Sequence, residues 1–230
     1  MENKTRKVDI VKLLGFVGIL AVSITIISDF ILIGKPGSGD LFFKLGTESM
    51  AEIAQWRITV GAFLGVVALP FQVMGLLPIY YGLKPAGRVI PLIVVITNAH
   101  ALLMGVAFHI AYAFIGSSWR LYYKSEPGNK ITSEMVNRFD SYWKILIIII
   151  FIEILFSSIL YVMLILKGNT RYPKWMALLN QLCIAIVILP FIYILPAPIG
   201  GYIAPACLNI STMVFFIMHL KIWKLKESRK

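Results

Sequence analysis

The chain is poor in charge, and poorer still in the residues that usually do chemistry. Asp, Glu, Lys and Arg make up 14% of its 230 residues, with three histidines and two cysteines. It contains no His-x-x-x-His pair, no Cys-x-x-Cys pair, no Gly-x-Ser-x-Gly turn and no phosphate-cradling glycine loop. Those absences remove the motif-level case for a zinc hydrolase, a dithiol oxidoreductase, a serine hydrolase or a nucleotide-binding loop. His100, His109 and His219 are spread over two apolar runs and across their depth, whereas zinc needs three or four ligands within about 2 Å of one point. No metal and no cofactor is expected. Cys183 and Cys207 lie in different runs at different depths, which fits small packing residues rather than a disulfide. The sequon Asn209-Ile210-Ser211 falls inside a run, where no glycosylation machinery reaches.

What the chain has in abundance is apolar length. Hydrophobic residues form 59% of it and the mean hydropathy is +0.83, beyond what an ordinary soluble domain carries. Six apolar runs, at about 13–34, 59–83, 89–115, 145–166, 175–195 and 200–220, are each long enough to cross roughly 30 Å of hydrocarbon. The expected fold is an all-α polytopic membrane bundle of six transmembrane helices, a single transmembrane domain over 1–230 surrounded by membrane lipids. The first run follows basic residues as a signal peptide would, but its core is too long and no small-residue cleavage site follows it. It is expected to be retained.

The net charge of +11 raises nucleic acid as a partner, and its distribution argues against one. Fourteen of the 22 basic residues sit in the two tails and in the second and fourth connections, against only Glu2, Asp9 and Glu227. The other eight are balanced by six acids outside the runs, with Asp29 and Glu153 inside them. This positive-inside pattern puts both termini in the cytoplasm of a multi-pass cell-membrane protein. No soluble domain interleaves aromatic and basic residues, so no nucleic acid is expected.

Local signals set further expectations. Ser49 and Glu52 have capping-box spacing, predicting a short helix that leads into the second span. Gly61-x-x-x-Gly65 gives that span a face where two backbones approach closely, and Pro70 and Pro78 should kink or break it. Residues 116–144 read as an outer loop centred on Pro127-Gly128, with Ser133 capping a short amphipathic helix. Trp119, Tyr122, Tyr123, Tyr142 and Trp143 read as an interfacial aromatic belt. Leu69-Pro70-Phe71 recurs as Leu189-Pro190-Phe191, and Asn98 and His109 are echoed by Asn209 and His219. The pattern fits either a three-plus-three inverted repeat of the kind transporters use or coincidence in a chain rich in Leu, Ile and Pro.

Ionisable side chains inside a span cost about 2.5–3.5 kcal/mol each on the gentler insertion scale, so each needs a partner or a purpose. Asp29 shares a helix face with Gly18, Val22 and Thr25, and His109 shares one with Asn98, Gly105 and Tyr112. Both fall in the outer third of their spans. Arg57 enters the membrane beside Trp56 at a depth that Asp29 shares, Gln72 lies near the midplane, and Glu153 sits nearer the centre of the fourth span. His100 is nine residues from His109, half a turn out of phase on a helix of about 3.6 residues per turn. It is expected to make an interhelical hydrogen bond elsewhere, and His219 reads as interfacial. The expected ligand-binding set is Asp29, Arg57, Gln72, Asn98, His109 and Glu153, around a polar cavity open to the outer side and floored by Glu153, Gln72 and Asn98. The competing account makes Asp29–Arg57 or Asp29–His109 a buried pair that only locks helix order.

Ile27-Ser28-Asp29-Phe30, Trp56-Arg57 ahead of a glycine-rich span, and Asn98 with His109 give the chain a resemblance to a group of uncharacterised six-helix bacterial membrane proteins. The resemblance covers nearly the whole length and implies the six-helix fold but no activity. In shape alone, the helix number, cytoplasmic ends and longer first and third outer loops resemble the substrate-binding subunits of vitamin-uptake transporters. The functional expectation is a membrane-embedded protein that binds or transports a small molecule entering from outside or from the lipid. A non-catalytic structural or regulatory subunit is the runner-up, and an intramembrane enzyme acting on a lipid or small apolar substrate comes third.

Overall fold

The computed structural model describes residues 2–227, with side-chain surroundings for 9–222. The basic tail residues Lys4, Arg6, Lys7, Lys224, Lys226, Arg229 and Lys230 lie outside the described side chains. The fold is helical throughout, with no strand among the described residues. Hydrocarbon offers no water to a peptide group, and a helix satisfies its own N–H and C=O groups, so long apolar runs become helices. Five stretches are long and apolar enough to cross a membrane: Asp9–Leu32, Gln55–Ala86, Val89–Lys124, Lys130–Lys167 and Ile199–Ile222. That number is compatible with a multi-pass membrane protein and is one fewer than the six expected.

Helix α1 (Glu2–Leu32) is followed by the short α2 (Gly39–Lys44) and a 3-10 helix at Thr47–Glu52. The expected capping box is not formed. Gly46 precedes this turn, and the carboxylate of Glu48 accepts from the Gly46 N–H at 3.1 Å. Helix α3 (Gln55–Gln72) gives way to a 3-10 turn at Val73–Gly75 and resumes as α4 (Leu76–Leu83). Pro70 lies just before the break and Pro78 just after it, each removing one N–H from the helical ladder. The break lets three helices meet at Gly75: a Cβ on Gly18 of α1 would lie 2.4 Å from the Gly75 Cα, and one on Gly75 would lie 2.5 Å from the Phe216 ring.

Helices α5 (Val89–Lys124) and α6 (Lys130–Lys167) form a long hairpin turning at Pro127-Gly128. The expected loop at 116–144 is therefore mostly helix. At about 1.5 Å per residue, the 36 and 38 residues of α5 and α6 reach about 54 and 57 Å, well beyond roughly 30 Å of hydrocarbon. The charges that end the apolar runs do not mark where the helices stop. Glu134–Arg138 at 2.6 Å and Asp140–Lys144 at 2.5 Å are i,i+4 pairs on the polar first part of α6. Its N-cap is Asn129, which accepts from the Ile131 and Thr132 N–H groups, and not Ser133.

The expected span at 175–195 is not of membrane length. A 3-10 helix at Lys174–Leu178 precedes α7 (Gln181–Tyr193), whose 13 residues reach about 20 Å. Asn180 divides the run: its side chain accepts from the Cys183 N–H at 3.0 Å and donates to the Ala177 carbonyl at 2.8 Å. Helix α8 (Ile199–Ile203) and a 3-10 turn at Ala204–Ala206 lead into α9 (Cys207–Glu227). The two Leu-Pro-Phe segments thus sit in unequal elements, one continuing through α4 and the other ending in α7, and their likeness stops at the proline.

Contacts fix which segments share an end. The Arg171 N–H donates to the Gly82 carbonyl at 2.8 Å, the Tyr172 hydroxyl donates to the Pro78 carbonyl at 2.9 Å, and the Tyr161 hydroxyl meets His219 Nε2 at 2.7 Å. The second and fourth connections and the last described turns of α9 therefore lie together at a basic end. His219 is not interfacial but fully buried there, within a core of Tyr161, Ile165, Tyr172 and Phe215. At the opposite, loop-rich end, the Thr47 hydroxyl donates to Asp140 at 2.8 Å, Trp119 Nε1 donates to Thr47 at 3.1 Å, and Arg120 donates to the Ala51 carbonyl at 3.2 Å. These bonds hold the 33–54 segment against the α5–α6 hairpin.

Candidate functional site

The glycine pair of α3 sets up the polar centre of the molecule. A Cβ on Gly61 would fall 2.6 Å from the Leu32 Cα, and the Ser28 hydroxyl donates to the Gly61 carbonyl at 2.5 Å, so α1 and α3 touch backbone to backbone. One turn on, a Cβ on Gly65 would lie 2.1 Å from His109 Nδ1. The missing side chain is the space that the imidazole occupies. Asp29 and His109 are 6% and 5% exposed, with Oδ1 and Nε2 3.5 Å apart. The other carboxylate oxygen of Asp29 accepts from Asn209 Nδ2 at 2.8 Å. Gln72 Nε2 donates to Thr25 Oγ1 at 2.7 Å and to Asn209 Oδ1 at 3.4 Å. A polar chain thus runs from α5 through α1 and α9 to α3. Gln72 Oε1 and His109 Nδ1 are buried with no hydrogen-bond partner.

Two cavities flank this chain toward the loop-rich end. The lower, about 90 Å³, is bordered by Asp29, Asn98, His109, Gln181, Asn209 and Thr212 among apolar side chains. The upper, about 460 Å³, is walled by Phe42, Tyr112, Trp119 and Trp143 and rimmed by Lys35, Glu48, Asp140 and Lys144. Ile33 and Tyr112 line both. Tyr112 belongs to an aromatic cluster with Phe108 at 5.0 Å and Trp143 at 5.8 Å between ring centroids. The upper space falls in the range of small-molecule pockets, about 300–1,000 Å³. The lower, at about 90 Å³, falls well below that range. Beside the upper cavity, hydrogen bonds from Lys44 and Ser38 pull the carboxyl of Asp40 down to about 2.

The six sequence-predicted residues do not all meet. Asp29, Asn98 and His109 line the lower cavity, although the Asn98 amide also donates to the Val94 carbonyl within its own helix at 2.8 Å. Gln72 joins the same polar chain behind them. Arg57 does not pair with Asp29: its guanidinium donates to the carbonyls of Phe30 at 3.0 Å, Ile31 at 2.9 Å and Gly34. It closes the C-terminal turn of α1, where orphan carbonyls attract a cation. Glu153 does not floor the cavity. It turns away to His100, with Oε1 and Nδ1 2.5 Å apart, which is the interhelical bond expected of His100. Sequence reasoning missed Asn209, Gln181 and Thr212 as cavity residues. Their signal was an amide or hydroxyl inside an apolar run, and for Asn209 the sequon drew the reading elsewhere. Asp29 and His109 have no third His, Cys, Asp or Glu grouped with them among the described residues.

Residues 1–226 match a family of unknown function (DUF6796), and the chain belongs to that family. No curated protein and no solved structure matches it.

Proposed function

We propose that the chain is a multi-pass cell-membrane protein that binds a small amphipathic molecule admitted at the loop-rich end, as a receptor or as a step in transport. The observation that carries the reading is the pair of cavities with a common wall at Ile33 and Tyr112, the lower one ending on Asp29, His109 and Asn209. The lower space is too small for a whole ligand. The body of the molecule therefore sits among the aromatic walls of the upper cavity, and a small hydrogen-bonding group reaches down toward the carboxylate. In this reading α7 with α8 makes the sixth traverse, and both termini lie on the cytoplasmic side, as the basic residues of the second and fourth connections support. Arg57 and the Gln72–Thr25 bond fasten helices, and that observation favours the runner-up, in which the whole polar chain is structural.

Native mass spectrometry of the purified protein separates the two. The binding reading expects a co-purifying small molecule that is reduced or lost in Asp29→Asn and in Tyr112→Ala, with both variants still folded. A wild-type protein that carries no such mass under gentle extraction, and gains none when reconstituted with membrane extract, overturns it.

A further inference from the structure

On the outside of the α5–α6 hairpin, His100 and Glu153 form an ion-pair geometry with no protein beyond it. The His100 side chain is 57% exposed and that of Glu153 19%. Around them the surface is apolar: Ile96 and Leu103 lie one turn to either side of His100, with Ile152 and Phe156 beside Glu153, all exposed. His100 stands eleven residues into α5, about 17 Å along the helix at 1.5 Å per residue, near the middle of an approximately 30 Å hydrocarbon core. The bond to Glu153 uses His100 Nδ1, and among the described residues none is formed by Nε2; Glu153 Oε2 is enclosed within its own chain. An ionisable pair facing lipid tails at that depth is the arrangement membrane proteins avoid, since such groups face protein or water.

We propose that the α5–α6 face around His100 and Glu153 is the contact surface of a homodimer within the membrane. The inference depends on the membrane-spanning reading of these helices and not on the ligand cavity. A lipid headgroup does not reach this depth. Two copies inserted with the same orientation and related by a two-fold axis along the membrane normal meet at equal depth, so each residue faces its own counterpart's neighbourhood. A surface presenting one imidazole and one carboxylate side by side is complementary to itself in that arrangement. The exposed imidazole of each copy faces the polar pair of the other, and Ile96, Leu103 and Phe156 supply the apolar surround.

The test is cysteine cross-linking in native membranes, in a background carrying Cys183→Ser and Cys207→Ser. Single cysteines at Ile96→Cys and Leu103→Cys probe the proposed face. Leu20→Cys on α1 and Val67→Cys on α3, which are also exposed, report random collision. The proposal expects disulfide-linked dimers at 96 and 103, several-fold above the two controls. It expects that excess to be lost when His100→Phe and Glu153→Leu are added and kept with Glu153→Gln. Absence of cross-links, equal cross-linking at all four positions, or a cross-linked species whose mass reveals a different protein would each overturn it.

Discussion

His219 and His109 are both buried imidazoles near opposite ends of one bundle. Around His219 at the basic end the aromatic rings of Phe215, Tyr172 and Tyr161 stand at 4.3, 4.8 and 5.6 Å. Both of its nitrogens are engaged, Nε2 with Tyr161 at 2.7 Å and Nδ1 with the Phe215 carbonyl at 2.6 Å. Around His109, Nε2 stops 3.5 Å short of Asp29, Nδ1 packs against Gly65 without a hydrogen bond, and a cavity opens beside the ring. Buried polar groups in folded proteins nearly always have partners. One end of this molecule obeys that rule with its own side chains. The other leaves Gln72 Oε1 and His109 Nδ1 unbonded, and His109 there lines a cavity.

The largest effect should come from the end that is already satisfied. His219→Ala empties a filled site and strips two hydrogen bonds, which should cost about 2–4 kcal/mol and be read as a lowered unfolding midpoint in detergent. His109→Ala should cost clearly less, because its bonds are incomplete and its site is already partly open. Equal losses would break the comparison. Next in size is Gly65→Ala, whose new methyl would strike the imidazole; overpacking of this kind costs about 1–3 kcal/mol, and displacing His109 should also abolish retention of any co-purifying molecule. Gly105→Ala in the same neighbourhood meets only the flexible tip of Leu69 at 3.3 Å, so it should fold and bind nearly as the parent does.

Smaller still is Asp29→Asn, which keeps the volume and a hydrogen bond to Asn209. Its midpoint should move by the equivalent of about 1 kcal/mol or less while binding falls. The smallest expected effect concerns Asp40, whose side chain is about a third exposed. Its carboxyl is depressed in the folded chain to about 2, below the roughly 3.9 of a free side chain. Its contribution is therefore present above about pH 4 and fades as pH falls toward 2. Asp40→Asn should flatten that part of the pH–stability curve and lower the neutral-pH midpoint slightly, by the contribution it removes.

The sequence disclosed much of this and hid the rest for identifiable reasons. Apolar length marked the membrane-length helices, and the burial of Val22, Thr25 and Asp29 on one face of α1 agrees with the periodicity of that run. Half-turn phasing separated His100 from His109, and the structure buries one and exposes the other. Helix ends were misread where apolar character was taken as the criterion for helix: α5 and α6 continue as polar helices past their apolar runs, and Asn180 interrupts an apolar run that hydropathy averages across. Arg57 was matched to Asp29 by depth, but carbonyls at the end of α1 lay closer and more numerous. Depth along a span says nothing of which side a residue faces, and that is why Glu153 was assigned inward.

The most direct test of the contrast between the two ends is thiol accessibility in intact cells, in the background lacking Cys183 and Cys207. Ile33→Cys lies on the wall common to both cavities, whereas Ile165→Cys lies in the filled core of the basic end. The account predicts that a small membrane-impermeant thiol reagent added from outside modifies the cysteine at 33 and spares the one at 165. An unmodified cysteine at 33, or equal modification of both, would contradict it.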